Sequence, residues 1–271
     1  MIAEFQKEIM YKGLATKGPL KADAEECAKI DKLLAENPND YFLWAARGIV
    51  CATAEEAIES YSMALALRPL SPNILYNRGR RFMGLNRYRQ SLADLKASTL
   101  LDPDDGWKWH FLGVALYFLE SYQEAADAFQ KAIEVNERNG VPLLPFDADW
   151  MWNCYGKLGL SDRQAACIRQ VPKDVDVLDT EETYRRRLLL YNGYMTDQEF
   201  LDGIDYEDHI ETANQLYGLS NYYYYIQRDL EKSVYYMKEI FRYDRGVRGW
   251  GYKMATLDLP EREAEWNAQN G

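Results

Sequence analysis

The chain has only two histidines, His110 and His209, and four cysteines, Cys27, Cys51, Cys154 and Cys167, in 271 residues. The cysteines form no CxxC pair and have no histidine cluster beside them, which excludes the common tetrahedral zinc spacings and leaves them as small core residues in a reducing compartment. No serine, cysteine or acid stands at a recognised spacing from either histidine. The sequence therefore nominates no catalytic residue, no metal ligand and no cofactor. Long apolar runs are also missing: the longest, "FLGVALYFL" at 111–119, falls well short of the ~18 residues a bilayer span needs, so no membrane association is expected. Positive charge is in deficit, with 32 basic against 43 acidic residues and a net charge of −11, which opposes binding to nucleic acid. The opening "MIAEFQKEIMYKG" has no uninterrupted apolar stretch and no lipobox cysteine, and reads as a mature cytoplasmic terminus. "YGKLGLSD" lacks the lysine-serine ending of a phosphate loop. "DVDVLDTEE" at 174–182 has the acids of a calcium loop but Leu178 at a ligand position, and reads as an acidic linker.

What remains is a hydrophobic share of 47% beside 28% charged residues, the balance of a chain that folds around a core. Its organisation is periodic. Ala57, Ser91 and Ala125 are 34 residues apart, as are Tyr61, Leu95 and Phe129, then Ala64, Ser98 and Ala132, and Pro69 and Pro103 keep the same step. Gly48, Gly79 and Gly113 precede each set. A glycine on one helix and a small residue on the next let two antiparallel helices approach closely, while large residues fill the space between them. The strings "TAEE", "SYQE", "SDRQ" and "TDQE", beginning at Thr53, Ser121, Ser161 and Thr196, have capping-box composition, and each predicts the start of the second helix of a pair.

In "WHFLGVALYFLESYQEAADAFQKAIEV" the residues Trp109, Leu112, Gly113, Leu116, Tyr122, Ala125, Phe129 and Ala132 resemble the signature of the tetratricopeptide repeat family. Glu137 stands where that family has proline, and in the preceding repeat Arg78 stands where it has leucine. In the first repeat Gly48 is three residues nearer to its alanine than in the others, which predicts a shortened turn. The resemblance implies an all-α, right-handed superhelical solenoid of antiparallel helix pairs. The expected organisation is an incomplete N-terminal repeat over 1–37, three repeats over 38–68, 69–102 and 103–137, degenerate helical pairs over 138–204, a divergent repeat over 205–246 and a capping segment over 247–271. In the divergent repeat, Ser233 at the small position puts Tyr217, Tyr224, Met237 and Ile240 on signature positions and Asn221 in place of the glycine. The layout is similar to that of bacterial envelope lipoprotein scaffolds that dock proteases and cell-wall hydrolases, without their lipoprotein signal.

In such repeats the first helix of each pair lines a concave groove. The groove positions fall on Asn73, Tyr76, Asn77, Arg80 and Met83 in the second repeat and on Trp107, His110, Phe111, Val114, Tyr117 and Phe118 in the third, an aromatic set expected to be exposed. The first repeat offers Phe42, Ala45, Ala46 and Ile49, without the lysine and asparagine that a full carboxylate clamp needs. In "SNYYYYIQRDLEKSVYYM" successive α-helical side chains point ~100° apart, so Tyr222 and Tyr225 are expected on the groove side, Tyr224 in the core and Tyr223 against a neighbouring helix. These features imply a non-catalytic scaffold that binds a peptide segment of a partner protein. The alternative is an enzyme or small-molecule receptor with a pocket near Tyr222 and Tyr225, which a well-formed pocket with shifted carboxylates would favour.

Overall fold

The computed structural model describes residues 23–141, 145–169, 171–175, 177, 181–243, 245 and 249–270. The chain divides into two compact units, Met1–Val141 and Pro142–Gly271. Every regular element among the described residues is helical.

The first unit contains α1 (Ala24–Glu36), α2 (Tyr41–Val50), α3 (Ala54–Leu67), α4 (Pro72–Gly84), α5 (Tyr88–Leu101), α6 (Gly106–Phe118) and α7 (Tyr122–Arg138). Helices α2 with α3, α4 with α5, and α6 with α7 form three packed pairs, and α3 packs on α4 and α5 on α6, so the pairs stack in sequence order. The glycines mark the crossings. A Cβ built at Gly48 would lie 2.6 Å from the Tyr61 ring, one at Gly79 2.9 Å from Leu95, and one at Gly113 2.7 Å from the Phe129 ring. Each pair is therefore fixed by a large side chain seated on the bare backbone of its partner helix. The shortened spacing of the first repeat has a different origin from the one its sequence suggests. All three intra-pair connections, 51–53, 85–87 and 119–121, are three residues long, and it is α2 that is shorter, with 10 residues against 13 in α4 and α6. Cys51 ends α2 in an extended conformation, whereas Asn86 and Glu120 turn through the left-handed region.

Helix ends follow the local chemistry unevenly. Thr53 and Thr196 form complete capping boxes with Glu56 and Glu199, but Ser121 makes no side-chain cap. With Glu137 in place of proline, nothing stops α7 at the usual place, and it runs to Arg138 over 17 residues, against 14 in α3 and α5. Arg78, in the leucine position, reaches across the pair to Asp94 with two hydrogen bonds (2.7 and 2.8 Å) and to Ser62 (3.0 Å). The apolar contact of the family is replaced here by a part-buried bidentate ion pair.

The second unit contains α8 (Pro145–Lys157), α9 (Ser161–Arg169), α10 (Glu182–Tyr191), α11 (Asp197–Asp202), α12 (His209–Asn221) continued by a π-helix (Tyr222–Gln227), α13 (Leu230–Ile240) and α14 (Trp250–Asn270). Part of the acidic stretch at 174–182 lies outside the described residues. Tyr217, Met237 and Ile240 are buried, as their signature positions require, but Tyr224 is only half-buried. The interior of this unit is unusually polar. Ser220 donates to the Ser233 carbonyl (2.8 Å), and Arg262 of α14 donates to both serine hydroxyls (2.8 and 2.7 Å) and to Asn221. Asn221 in turn donates to Asn153 (2.7 Å). Arg187 pairs with Asp149 at 2.9 Å, both fully buried. Burial lifts the Asp149 carboxyl to about 6, against the opposing pull of Arg187 and the Asn153 hydrogen bond.

Candidate functional site

Helices α2 and α4 border a cavity of about 240 Å³ in the first unit. Its lining combines apolar side chains, Phe42, Ala45, Ile49 and Ile74, with the polar Asn73, Asn77 and Arg68. Arg68 donates to the Tyr41 hydroxyl and lies 4.8 Å from the centre of that ring, which fixes the guanidinium at one end. Leu70, in the turn between the first two repeats, lines the same cavity although it is 74% exposed. A lipophilic side chain with no apolar cover is what a binding rim presents. Two of the groove residues expected from the sequence, Asn73 and Asn77, belong to this cavity.

Further along, Tyr76 and Arg80 of α4 and Trp107, His110 and Phe111 of α6 form one packed cluster. Tyr76 meets Phe111 edge-on at 5.7 Å, Trp107 stacks on Phe111 at 6.2 Å, and His110 contacts both Trp107 (5.8 Å) and Phe111 (5.1 Å) edge-on. The Arg80 guanidinium lies 4.7 Å from the Phe111 ring centre and 5.5 Å from that of Tyr76. Asn77 and Arg80 lie one turn apart on α4, a spacing at which two free donors could grip one carboxylate. In the structure Asn77 is buried beside the cavity and Arg80 is engaged with two aromatic faces. Burial pushes the Tyr76 phenol up to about 12, with Arg80 pulling the other way.

The third repeat does not offer the exposed aromatic surface its positions suggest. His110, Val114, Tyr117 and Phe118 are buried, and Trp107 and Phe111 are half-buried. The reason is legible in α6 itself: "GWKWHFLGVALYF" has apolar residues around its whole circumference, and a helix without a polar face is an interior helix. Even Lys108 is buried, held by Asp102 (2.8 Å) and Asp105 (2.6 Å). Phe118 stacks on Tyr88 at 4.6 Å, and Tyr117 meets Tyr122 edge-on at 5.2 Å. Tyr117, fully buried, is a packing residue, so truncating it tests stability rather than recognition. Met83 is likewise buried.

Tyr222 and Tyr225 belong to the second unit and lie in different surroundings. The segment that carries them is a π-helix, whose wider turn breaks the three-residue spacing that would put both on one side. Tyr222 accepts from Gln227 (2.6 Å) and contacts Tyr223, whereas Tyr225 packs edge-on against Trp152 at 5.4 Å. Tyr223 behaves as expected: it stacks on Tyr236 of α13 at 5.4 Å and donates to Asp197 (2.5 Å). Tyr224 donates to Glu265 of α14 (2.7 Å) beneath the Arg262 guanidinium, 4.3 Å from its ring centre.

The tetratricopeptide repeat family model matches residues 109–139, the α6–α7 pair whose crossing glycine is Gly113. Residues 109–139 are a tetratricopeptide repeat. Small glutamine-rich tetratricopeptide repeat-containing protein 2 of Mycosarcoma maydis is 32% identical over 117 residues, 43% of this chain and 31% of that protein. The heat-shock protein cognate co-chaperone sgt12 of Aspergillus fumigatus is 29% identical over 89 residues, 33% of this chain and 26% of that one. The chain thus spans less than a third of the curated relatives it matches. Among solved structures, a tetratricopeptide repeat protein from Parabacteroides merdae superposes with a TM-score of 0.60 at 18% identity, covering 96% of this chain and 99% of its own. A MamA fragment from Desulfovibrio magneticus gives 0.51 at 19% identity over 62% and 92%. At these identities the structures establish the fold alone: all-α helix pairs of the tetratricopeptide type. No helix among the described residues is long and apolar enough to cross a membrane, and no cluster of three histidine, cysteine or acidic residues is placed to hold a metal.

The signal that would have located the cavity was in the first tetratricopeptide repeat. Phe42, Ala45 and Ile49 occupy its groove positions, and their apolar character, rather than any clamp residue, marks the cavity. Arg68 and Leu70 lie in an inter-repeat turn, which groove positions counted along helices do not reach.

Proposed function

We propose that this chain is a non-catalytic adaptor that holds a peptide segment of a partner protein in the groove of its first two repeats. The observation that carries this reading is the cavity between α2 and α4, lined by apolar side chains together with the Asn73 and Asn77 amides. Such a site suits an extended or helical segment that inserts an apolar side chain between Phe42 and Ile49 while its backbone bonds Asn73 and Asn77. The half-buried Tyr76 and Arg80 of α4, with Trp107 and Phe111 of α6, extend the recognition surface toward the third repeat. Tetratricopeptide-repeat proteins typically act through protein partners, and sgt12 is by its name a co-chaperone. The net charge of −11 disfavours nucleic acid as the partner.

The test is a peptide-display selection against the whole chain, followed by calorimetric titration of the selected peptides. Phe42→Ala and Asn77→Ala are each expected to weaken binding by about 1–3 kcal/mol, as buried interface anchors and hydrogen-bonding groups do, without changing the circular dichroism spectrum. Peptides that bind both variants with the parent's affinity would show that the site lies elsewhere.

A further inference from the structure

The second unit contains a cavity of about 380 Å³ between the α8–α9 connection and the π-helix with α14, and its character differs from the groove just described. Three cationic side chains line it, Lys157, Arg228 and Arg262, against one carboxylate, Glu261. In a chain of net charge −11 this is a local reversal of sign. Behind the wall, the buried Asp258 lies 2.8 Å from Lys157 and 3.9 Å from Arg262, so two cations share one buried counter-charge. Glu261, the second partner of Lys157 at 2.9 Å, is largely exposed.

Donors are in surplus as well. Gln164 lines the cavity, is only 8% exposed, and its amide nitrogen has no hydrogen-bond partner. An unsatisfied buried donor costs about 1–3 kcal/mol unless something accepts from it. Gly156 leaves room for it: a Cβ there would lie 2.6 Å from the Gln164 amide nitrogen and 2.7 Å from the Tyr225 ring. The nine-residue helix α9 begins at Ser161, on the same wall, with the backbone donors and partial positive charge of a helix N-terminus. Arg228 closes the opposite side. It sits in the left-handed region (φ 56°) where the π-helix ends, an unfavourable conformation for a residue with a side chain.

We propose that this cavity binds an oxyanion, the carboxylate or phosphate group of a small molecule. The Gln164 amide, the Arg228 guanidinium and the first turn of α9 are its donors, and the Tyr224 and Tyr225 rings are its walls. The two cations that share Asp258 add a favourable field, and the anion supplies the acceptor that Gln164 lacks. This proposal is independent of the peptide groove, whose residues all belong to the first unit.

Inorganic phosphate and succinate, each titrated into the whole chain at constant ionic strength against sodium chloride, separate the two sources of oxyanion. A saturable calorimetric response to either one is expected, and which one responds identifies the group. Arg228→Ala should lower the affinity by at least roughly tenfold, the loss of one charge-assisted hydrogen bond. Gln164→Glu, which keeps the side-chain volume, should abolish binding by placing a like charge in the site. Arg169→Ala, at the far end of α9, should leave it unchanged. If Gln164→Glu does not fold, the exposed Arg228 still decides. No saturable response to either anion, or a response that survives Arg228→Ala undiminished, overturns the proposal.

Discussion

Gly113→Ala provides a sharp test of how the repeats are held together, because two opposing effects of known size meet at one atom. In the middle of α6, alanine should favour the helix by about 1 kcal/mol relative to glycine. The new methyl carbon, however, would lie 2.7–2.9 Å from three carbons of the Phe129 ring, inside the roughly 3.5–4.0 Å of favourable contact. Phe129 is fully buried and cannot swing into solvent, so the ring or the helix must move, at about 1–3 kcal/mol for overpacking. The net expectation is destabilisation by about 1 kcal/mol. Gly84→Ala is the control: nothing lies within 4 Å of its Cβ, at the last residue of α4, so only the helix-favouring effect of up to about 1 kcal/mol should remain. With two compact units in the chain, a global melt does not isolate this pair. Native-state hydrogen exchange on peptides from 106–138 does. Adding Phe129→Leu to Gly113→Ala should recover part of the loss, giving a coupling energy of about 1 kcal/mol or more. Protection of these amides in Gly113→Ala equal to or above the parent's, or simple additivity of the two changes in α6 and α7, would refute the clash at this crossing.

Two further expectations concern charges in the interior. Arg78→Leu restores the usual leucine of the family but strands the buried Asp94, and should destabilise the first unit by about 2–4 kcal/mol, whereas Arg78→Leu with Asp94→Ala should recover most of that. Urea titrations of both variants measure it, and equal losses would show that packing rather than the stranded carboxylate sets the cost. Asp149 titrates near 6 in the folded chain, above its unfolded value of about 4, so the native state holds the extra proton between those limits. The stability this group contributes is full below about pH 4 and is lost as the pH rises through about 6. The difference in unfolding free energy between the parent and Asp149→Asn should therefore fall from pH 4.5 to 6.5, and a flat or rising difference over that range would mean that the Arg187 pair, not burial, controls this carboxyl.

How much of this was legible in the sequence depends on how local each cause is. The 34-residue period, the crossings at Gly48, Gly79 and Gly113, and the capping boxes at Thr53 and Thr196 were all readable, because a crossing needs a missing Cβ and a cap needs a side-chain oxygen at a fixed offset. Ser121 had the same string and made no cap, since backbone geometry at the turn decides whether the oxygen reaches. The groove positions were readable as a face of a helix, but their exposure was not. Whether Val114, Tyr117 and Phe118 meet solvent depends on what packs over α6, and the apolar circumference of that helix was the one local hint. The four tyrosines at 222–225 mark the same boundary. Sequence placed them on a helix with ~100° steps, but the segment folds as a π-helix, and the wider turn sends Tyr222 and Tyr225 to different neighbours. The sequence by itself determined the repeat, its period and its glycine crossings, because these follow from contacts between residues at fixed separations. The tertiary structure alone decided which groove residues stay open and where the half-buried Lys157 and the buried Arg187 and Arg262 find their partners, because those depend on segments brought together from far apart in the chain.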